Sequence, residues 1–331
     1  MTKTPILVVL GLLSVLILGP EAAAQLQPKQ LYFGIDRPFM VEVAVPEGLE
    51  GEPTVQLLKP VSAEVIAAEA VKEGEVDLAS LFPFLWQVSG DPGFYYVQLA
   101  IGDTRVGPAI VLQPMVSPKV AQLDNSDPSR PKVVFQQMGR TFSGYRAYVD
   151  QNVVFDTTEG EIEFKMRPDQ APNSVWNFRS LVDGGYYTDV AFHRIMGPKG
   201  ERPGFVIQVG DPTATGTGGP GYFIPLEDSK LLHDFGVLSM ARSGPPDTGG
   251  SQVFVCLSRE ATRSLDGLYT AFAETIRGGE SIMTIATVPV GAGNRPADPM
   301  PMIRSAWLVD SAPYGTGPAT VREPASEPVD R

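Results

Sequence analysis

From about residue 31 to 115 the chain alternates apolar and polar positions in short runs separated by turn residues. Phe39-Met40-Val41-Glu42-Val43-Ala44-Val45 has period two, Val55 to Leu58 is apolar, and Tyr95, Val97, Leu99 and Ile101 recur at every second position after the turn signal Asp91-Pro92-Gly93. Successive side chains of a strand point to opposite faces, so these runs predict half-buried strands. Several such strands spaced by turns predict a small all-β, sandwich-like domain over residues 25–115. Pro114, Pro118, Pro128 and Pro131 then surround Asp124-Asn125-Ser126-Asp127. That composition breaks regular structure, and residues 116–144 are expected to be a linker.

A second domain is expected over residues 145–312. Val153 to Phe164 contains two β-prone runs about Glu159-Gly160, which predicts a hairpin. Pro172 suits a first helical turn, and Val175, Phe178, Leu181 and Val182 lie on one helical stripe ending at Gly184-Gly185. Residues 281–288 make a weaker second helix candidate. The segments around Phe192, Phe205 to Val209, Gly236 to Ala241 and Val253 to Leu257 read as strands, so the domain is mainly β with two helices. Residues 313–331 carry Pro313, Pro318, Pro324 and Pro328 with few apolar side chains, and predict a disordered tail.

The first residues follow a different pattern. Lys3 precedes the apolar run from Ile6 to Leu18, and Ala22-Ala23-Ala24 ends the segment. A charged start, an apolar centre and small residues at the end predict a secretory signal over residues 1–24. The run is shorter than the roughly 17 to 25 residues of a spanning helix. A mature chain starting at Gln25 is therefore expected to be exported, periplasmic or secreted, without stable membrane insertion.

Composition narrows the chemistry. The 331 residues include 26 Lys plus Arg against 38 Asp plus Glu, a formal net charge of -12, which argues against nucleic acid as a partner. One cysteine and two histidines exclude disulfides within the chain and zinc sites built only from Cys and His. No metal and no cofactor are expected. Cys256 lies inside the apolar run Val253 to Leu257 and is expected to be a buried packing residue. Gly216-Thr217-Gly218-Gly219-Pro220-Gly221 satisfies the letters GxGxxG, but Pro220 and Tyr222-Phe223-Ile224-Pro225 stand where a helix should begin. The run is expected to be a flexible surface loop. Ser251, His233 and Asp211 can be drawn as a triad, yet no G-x-S-x-G surrounds the serine.

One set of motifs is more specific. Phe192-His193-Arg194-Ile195, Gly204-Phe205-Val206-Ile207-Gln208-Val209-Gly210-Asp211, Gly236 to Ala241, Gly250-Ser251-Gln252-Val253-Phe254-Val255-Cys256 and Leu265-Asp266-Gly267 occur in that order. Together, over about 152–290, they closely resemble the cyclophilin-type peptidyl-prolyl cis-trans isomerases, in the form of an exported bacterial member with an extra N-terminal domain. The resemblance implies a closed eight-stranded antiparallel barrel capped by two helices, with the substrate groove on its outer face. It implies an enzyme, acting as a monomer on proline-containing segments of unfolded or exported proteins. By the same resemblance Arg194 is the catalytic cation, and Phe205, Val206, Phe254, Leu265 and Tyr269 form the proline pocket. Gln208, Ala241, Arg242, Ser243 and Gln252 border the peptide.

The strands themselves agree with such a site, since Val206 with Gln208, and Gln252 with Phe254, each share a face. The family pattern is broken by an insertion at 197–202, by one extra residue in Pro245-Pro246-Asp247, and by Arg242, Ser264 and Tyr269 where asparagine, tryptophan and histidine are usual. The insertion is expected to be solvated. The rival expectation is a binding module that holds proline segments with little turnover.

Overall fold

The computed structural model describes residues 25–87, 92–136 and 139–323. The expected signal segment, residues 1–24, and the last part of the expected tail lie outside the described residues. In chain order the first strands are β1 (Leu26–Pro28), β2 (Tyr32–Gly34), β3 (Met40–Val43), β4 (Pro53–Leu58), β5 (Val65–Ala70) and β6 (Gly74–Asp77), then the short helix α1 (Leu78–Leu81). They continue as β7 (Tyr95–Ile101), β8 (Thr104–Pro114), β9 (Val120–Asp124), β10 (Lys132–Gln136) and β11 (Gly144–Val149). A three-stranded sheet, β1-β3-β6, faces a six-stranded sheet, β2-β11-β8-β7-β4-β5. Leu26, Val41 and Val43 from the first share one core with Val55, Leu57, Val97, Leu99 and Leu112 from the second. The alternation along β3 places Val41 and Val43 on this face.

The domain borders differ from the expectation in three places. Tyr145 to Val149, assigned above to the second domain, pair with β8 and extend the six-stranded sheet, because Tyr145 and Ala147 bring apolar side chains to the first core. Residues 116–144 are not a bare linker: β9 and β10 form an antiparallel hairpin in which Ala121 opposes Phe135 and Leu123 opposes Val133. The prolines flank these strands or sit in their turn, where no ladder hydrogen bond is lost. The expected tail is docked as far as Val321. Tyr314 is 9 % exposed and stacks on Tyr96 at 3.7 Å between ring centroids. Its hydroxyl accepts from Val61 N at 2.9 Å, and its own N–H donates to the buried Gln98 at 2.8 Å. Single anchors of this kind do not show in a composition dominated by Pro, Gly and Thr.

The remaining strands are β12 (Gln151–Thr157), β13 (Gly160–Met166), β14 (Val190–Ala191), β15 (Arg194–Ile195), β16 (Val206–Val209), β17 (Val237–Met240), β18 (Val253–Cys256), β19 (Ala271–Arg277) and β20 (Met302–Asp310). They make one curled sheet in the order β14-β20-β12-β13-β19-β17-β18-β16-β15. The hairpin expected about Glu159-Gly160 is β12–β13, with Thr157 opposite Gly160. The helices are α2 (Pro172–Asp183), the short α3 (Arg259–Thr262) and α4 (Gly279–Ala286), so the second expected helix starts two residues early. Helix α2 buries Val175, Phe178 and Val182, with Pro172 in its first turn and Gly184 at its C-cap. Ala171 supplies no side-chain cap; instead Glu227 accepts from Asn173 N at 3.0 Å and Ser174 N at 2.7 Å. The concave side of the sheet and the helices enclose one core that includes Phe155, Phe164, Phe178, Ile207, Val255 and Phe272. Cys256 is fully buried, and burial pushes its thiol up, away from the reactive thiolate.

A single residue, Asp150, separates β11 from β12. It is 7 % exposed; its N–H donates to Ala109 O at 2.8 Å and its carboxylate accepts from Ser311 Oγ at 3.1 Å. Burial raises the Asp150 carboxyl from 3.8 to about 7, against the opposing effects of the Ser311 bond and the Lys165 and Arg179 charges. The folded chain thus holds this proton more tightly than the unfolded chain, so stability falls as pH rises between about 4 and 7. A rise from 3.8 to about 7 corresponds to roughly 4 kcal/mol across that interval. Asp150→Asn is expected to raise the urea midpoint at pH 8 and to flatten its decline between pH 4 and 7. Urea titrations at both ends of the range check this; an unchanged decline would show that Asp150 is not its source.

Candidate active site

Strand register assembles the site. Arg194 on β15 opposes Gln208 on β16, which opposes Phe254 on β18, which opposes Ser239 on β17. Directly opposed residues share a face, so these four side chains form one row across the convex side of the sheet. Their neighbours Ile195, Ile207, Val209, Val253 and Val255 point the other way and fill the core. Val206, Phe254, Cys256, Val237 and Ala271 form a separate apolar cluster, against which Met196, Phe205, Ala241, Leu265 and Tyr269 pack half-buried. An apolar patch therefore lies at the surface with the exposed guanidinium of Arg194 at its edge.

The amides at this edge are ordered in one direction. Arg194 Nη1 donates to Gln208 Oε1 at 3.1 Å, and Nη2 donates to Met196 Sδ at 3.1 Å. Gln208 Nε2 donates to Gln252 Oε1 at 2.9 Å, and Gln252 Nε2 donates to the carbonyls of Gly216 and Gly218 at 3.0 and 2.9 Å. Each acceptor is used by the donor before it, so the guanidinium is held by a chain that ends on backbone. Arg242 packs on a patch residue: its guanidinium lies 4.6 Å from the centroid of the Tyr269 ring and donates to Leu268 O at 3.0 Å. Tyr269 meets Phe254 edge-on, 5.7 Å between centroids.

A cleft of about 530 Å³ adjoins the patch beyond Gln208 and Gln252, walled by the loop from Gly216 to Phe223 on one side and by Arg242, Ser243 and Thr248 on the other. The glycine-rich loop expected to be flexible is built around one carboxylate. Asp211 accepts from the backbone N–H of Thr213, Thr215, Gly216 and Gly218 and from the Thr213 hydroxyl. Although Asp211 is buried, these donors hold its carboxyl at about 2. An aspartate just ahead of Thr and Gly residues was the available signal, since such side chains recruit nearby backbone N–H groups.

All eleven expected site residues fall on or beside the patch and cleft. Sequence reasoning missed the support beneath them. His233, 1 % exposed, stacks behind Phe254 with 6.1 Å between centroids. Its Nδ1 lies 3.0 Å from Asp266 Oδ1 and its Nε2 lies 2.9 Å from Ser239 Oγ, partners that fit the neutral ring. Arg259 binds both oxygens of Asp266, at 3.0 and 2.6 Å, and the whole set pins the loop carrying Leu265 and Tyr269. No local pattern around His233 or Asp266 announces a contact separated by 33 residues. The insertion at 197–202 is an exposed hairpin, with Lys199 and Arg202 exchanging backbone bonds at 3.1 Å; Met196 and Phe205 stay paired beneath it. Among the described residues no cluster of three or more His, Cys, Asp or Glu is placed to hold a metal.

The family model for "Cyclophilin type peptidyl-prolyl cis-trans isomerase/CLD" matches residues 152–306. A peptidyl-prolyl cis-trans isomerase of Synechococcus elongatus is 39% identical over 146 residues, which cover 41% of this chain and 94% of that protein. The chain belongs to the cyclophilin-type peptidyl-prolyl cis-trans isomerases. Peptidyl-prolyl cis-trans isomerase B of Bacillus subtilis is 43% identical over 122 residues, 36% of this chain and 79% of that protein. A Cryptosporidium parvum isomerase of this cyclophilin type, crystallised in the presence of the dipeptide Ala-Pro, is 33% identical with a TM-score of 0.44, covering 49% of this chain and 100% of that one. The row from Arg194 to Phe254 lies wholly within the matched residues.

Burial lowers the proton affinity of both His193 and His233 below 6.5, outweighing the neighbouring carboxylates Asp211 and Asp266. Asp266 and Asp211 are held at about 2. The histidines are therefore neutral above pH 6.5, and the stability tied to their neutral form is lost as pH falls below that value. For this cyclophilin kcat/KM is expected to be flat between about pH 6.5 and 8, then to fall at lower pH as His233 charges behind Phe254. A rate profile on an uncharged proline peptide checks this; a sigmoidal step centred between pH 7 and 8 would contradict it.

Proposed function

We propose that this cyclophilin is an exported enzyme that speeds rotation about X-Pro bonds in proteins folding outside the cytoplasm, with Arg194 as its catalytic cation. The observation carrying the assignment of roles is the row itself: a guanidinium held at the rim of an apolar patch, with its free face toward solvent. The barrier to rotation is roughly 18–20 kcal/mol because the C–N bond has partial double character. When the amide twists, its nitrogen becomes pyramidal and the lone pair it shared with the carbonyl localises on it. A guanidinium is always charged and can donate to that lone pair in the twisted form but not in the planar one. One charged hydrogen bond supplies about 1.5–3 kcal/mol, roughly ten- to a hundredfold in rate. Phe205, Val206, Phe254, Leu265 and Tyr269 receive the ring and exclude water. Gln208 and Gln252, with Ala241, Arg242 and Ser243, border the peptide on either side.

The closed eight-stranded barrel belongs to this proposal. Its support is that the two end strands of the sheet, β14 and β15, are consecutive pieces of residues 190–195, so the run that starts the sheet also ends it. Export rests on the segment 1–24, with Lys3, its apolar run and Ala22 to Ala24. A charge pattern poor in basic residues suits a protein that meets other chains in solution.

Arg194→Ala is expected to lower kcat/KM on a proline tetrapeptide by at least tenfold, and Arg194→Lys to recover little of it, because an ammonium lacks the planar fork that also engages Gln208. Circular dichroism should report an unchanged fold. Arg194→Ala turning over the peptide at the parent rate would remove the guanidinium from the mechanism.

A further inference from the structure

The β9–β10 hairpin belongs to the part of the chain outside the matched family region, yet it is bonded to a side chain in the loop that walls the cleft. Asp247 sits after Pro245-Pro246 in the loop that forms one cleft wall. Its Oδ1 accepts from Leu226 N at 2.9 Å, three residues beyond Phe223 on the opposite wall. Its Oδ2 accepts from Ala121 N at 3.2 Å, in β9. Ala121 is 6 % exposed, so its N–H needs a partner, and the carboxylate supplies one. Near Asp247 the walls are also joined by Ile224 N donating to Gly249 O at 2.8 Å. Above it, Thr248 Oγ1 accepts from Ser243 N at 3.0 Å and donates to Pro245 O at 2.7 Å, which stiffens the loop at the residues that face the cleft. Two prolines before Asp247 restrict the backbone that aims it.

We propose that Asp247 is a positioning residue that makes the β9–β10 hairpin a working part of the substrate groove: one carboxylate holds both walls of the cleft at a set spacing and ties that spacing to the N-terminal module. The segment of client chain flanking the proline, which must run past Gln252 into the cleft, is accepted or refused according to this spacing. The preference of the enzyme for the residues around the proline is thus set partly by a module that contributes no side chain to the proline patch. This rests on the isomerase assignment above.

The test uses the full chain and two substrates, a proline tetrapeptide and a nonapeptide with proline at its centre. Asp247→Ala removes both bonds. The expected result is a KM for the nonapeptide raised at least fivefold relative to that for the tetrapeptide, with the ratio of the two kcat values within twofold of the parent. Ala121→Pro removes only the N–H of the hairpin and leaves the Leu226 bond intact; an edge strand tolerates the proline. It should move the KM ratio in the same direction by about half as much on a logarithmic scale. Asp247→Asn presents one acceptor and one donor to two N–H groups and should fall between Ala and the parent. Equal loss of kcat on both peptides would make Asp247 merely structural and overturn the proposal. An unchanged KM ratio in Ala121→Pro, with circular dichroism like that of the parent, would overturn the coupling to the hairpin. Failure of the parent chain to isomerise the tetrapeptide would strike the isomerase assignment instead.

Discussion

Antiparallel register between β15, β16, β18 and β17 is the constraint on which the site depends. Side chains alternate along each strand, so the same pairing that sends Ile195, Ile207, Val253 and Val255 into the core sends Arg194, Gln208 and Phe254 outward in one row. A slip of one residue in any of these strands would turn that strand's core residues outward, and in β15 it would bury the guanidinium. The energetic cost of such a slip is that of several buried aliphatic side chains, each worth about 1.5–3 kcal/mol. The apolar core therefore holds the polar row in register, and the geometry of the row follows from packing rather than from its own weak contacts.

Around that row, order comes from charged groups that accept backbone N–H bonds. Asp211 gathers the glycine-rich loop, Asp266 fixes the loop of Leu265 and Tyr269 through Arg259 and His233, Glu227 caps α2, and Asp247 accepts from Leu226 N. For Asp211 and Asp266 the donors hold the carboxyl at about 2, whereas at Glu227 burial outweighs them and pushes the carboxyl up. Few regular elements border the groove, so these side chains do locally what helix and sheet ladders do elsewhere. They also join the modules: the β9–β10 hairpin donates Ala121 N to Asp247, while Tyr314 and Trp176 carry apolar contact from the isomerase part to the outer face of the six-stranded sheet.

Much of this was legible in the chain. The stripe Val175, Phe178, Val182 between Pro172 and Gly184 is a helix because local periodicity and end signals agree, and the β12–β13 hairpin follows from its turn. That the expected site residues share one surface was legible through motifs whose residues alternate between core and groove. What was not legible depends on contacts distant in sequence. Tyr314 meets Tyr96 across more than two hundred residues, His233 reaches Asp266 across 33, and Tyr145 joins β8 because its side chain enters the core of the first module. The hairpin of β9 and β10 was obscured because prolines at its ends and turn dominate the composition of residues 116–144.

The central claim is that a guanidinium aligned by strand register acts on a proline amide as it twists. The most direct measurement is exchange NMR on an isotope-labelled X-Pro peptide with a small fraction of the full chain, reading peptide exchange and the Arg194 side-chain nitrogen signals together. Unassisted exchange takes about 10–100 s. The account predicts cis–trans cross-peaks within mixing times of about a second and a displaced Arg194 resonance that saturates with the same peptide concentration. Peptide binding that shifts Arg194 yet leaves exchange at the unassisted rate would contradict it.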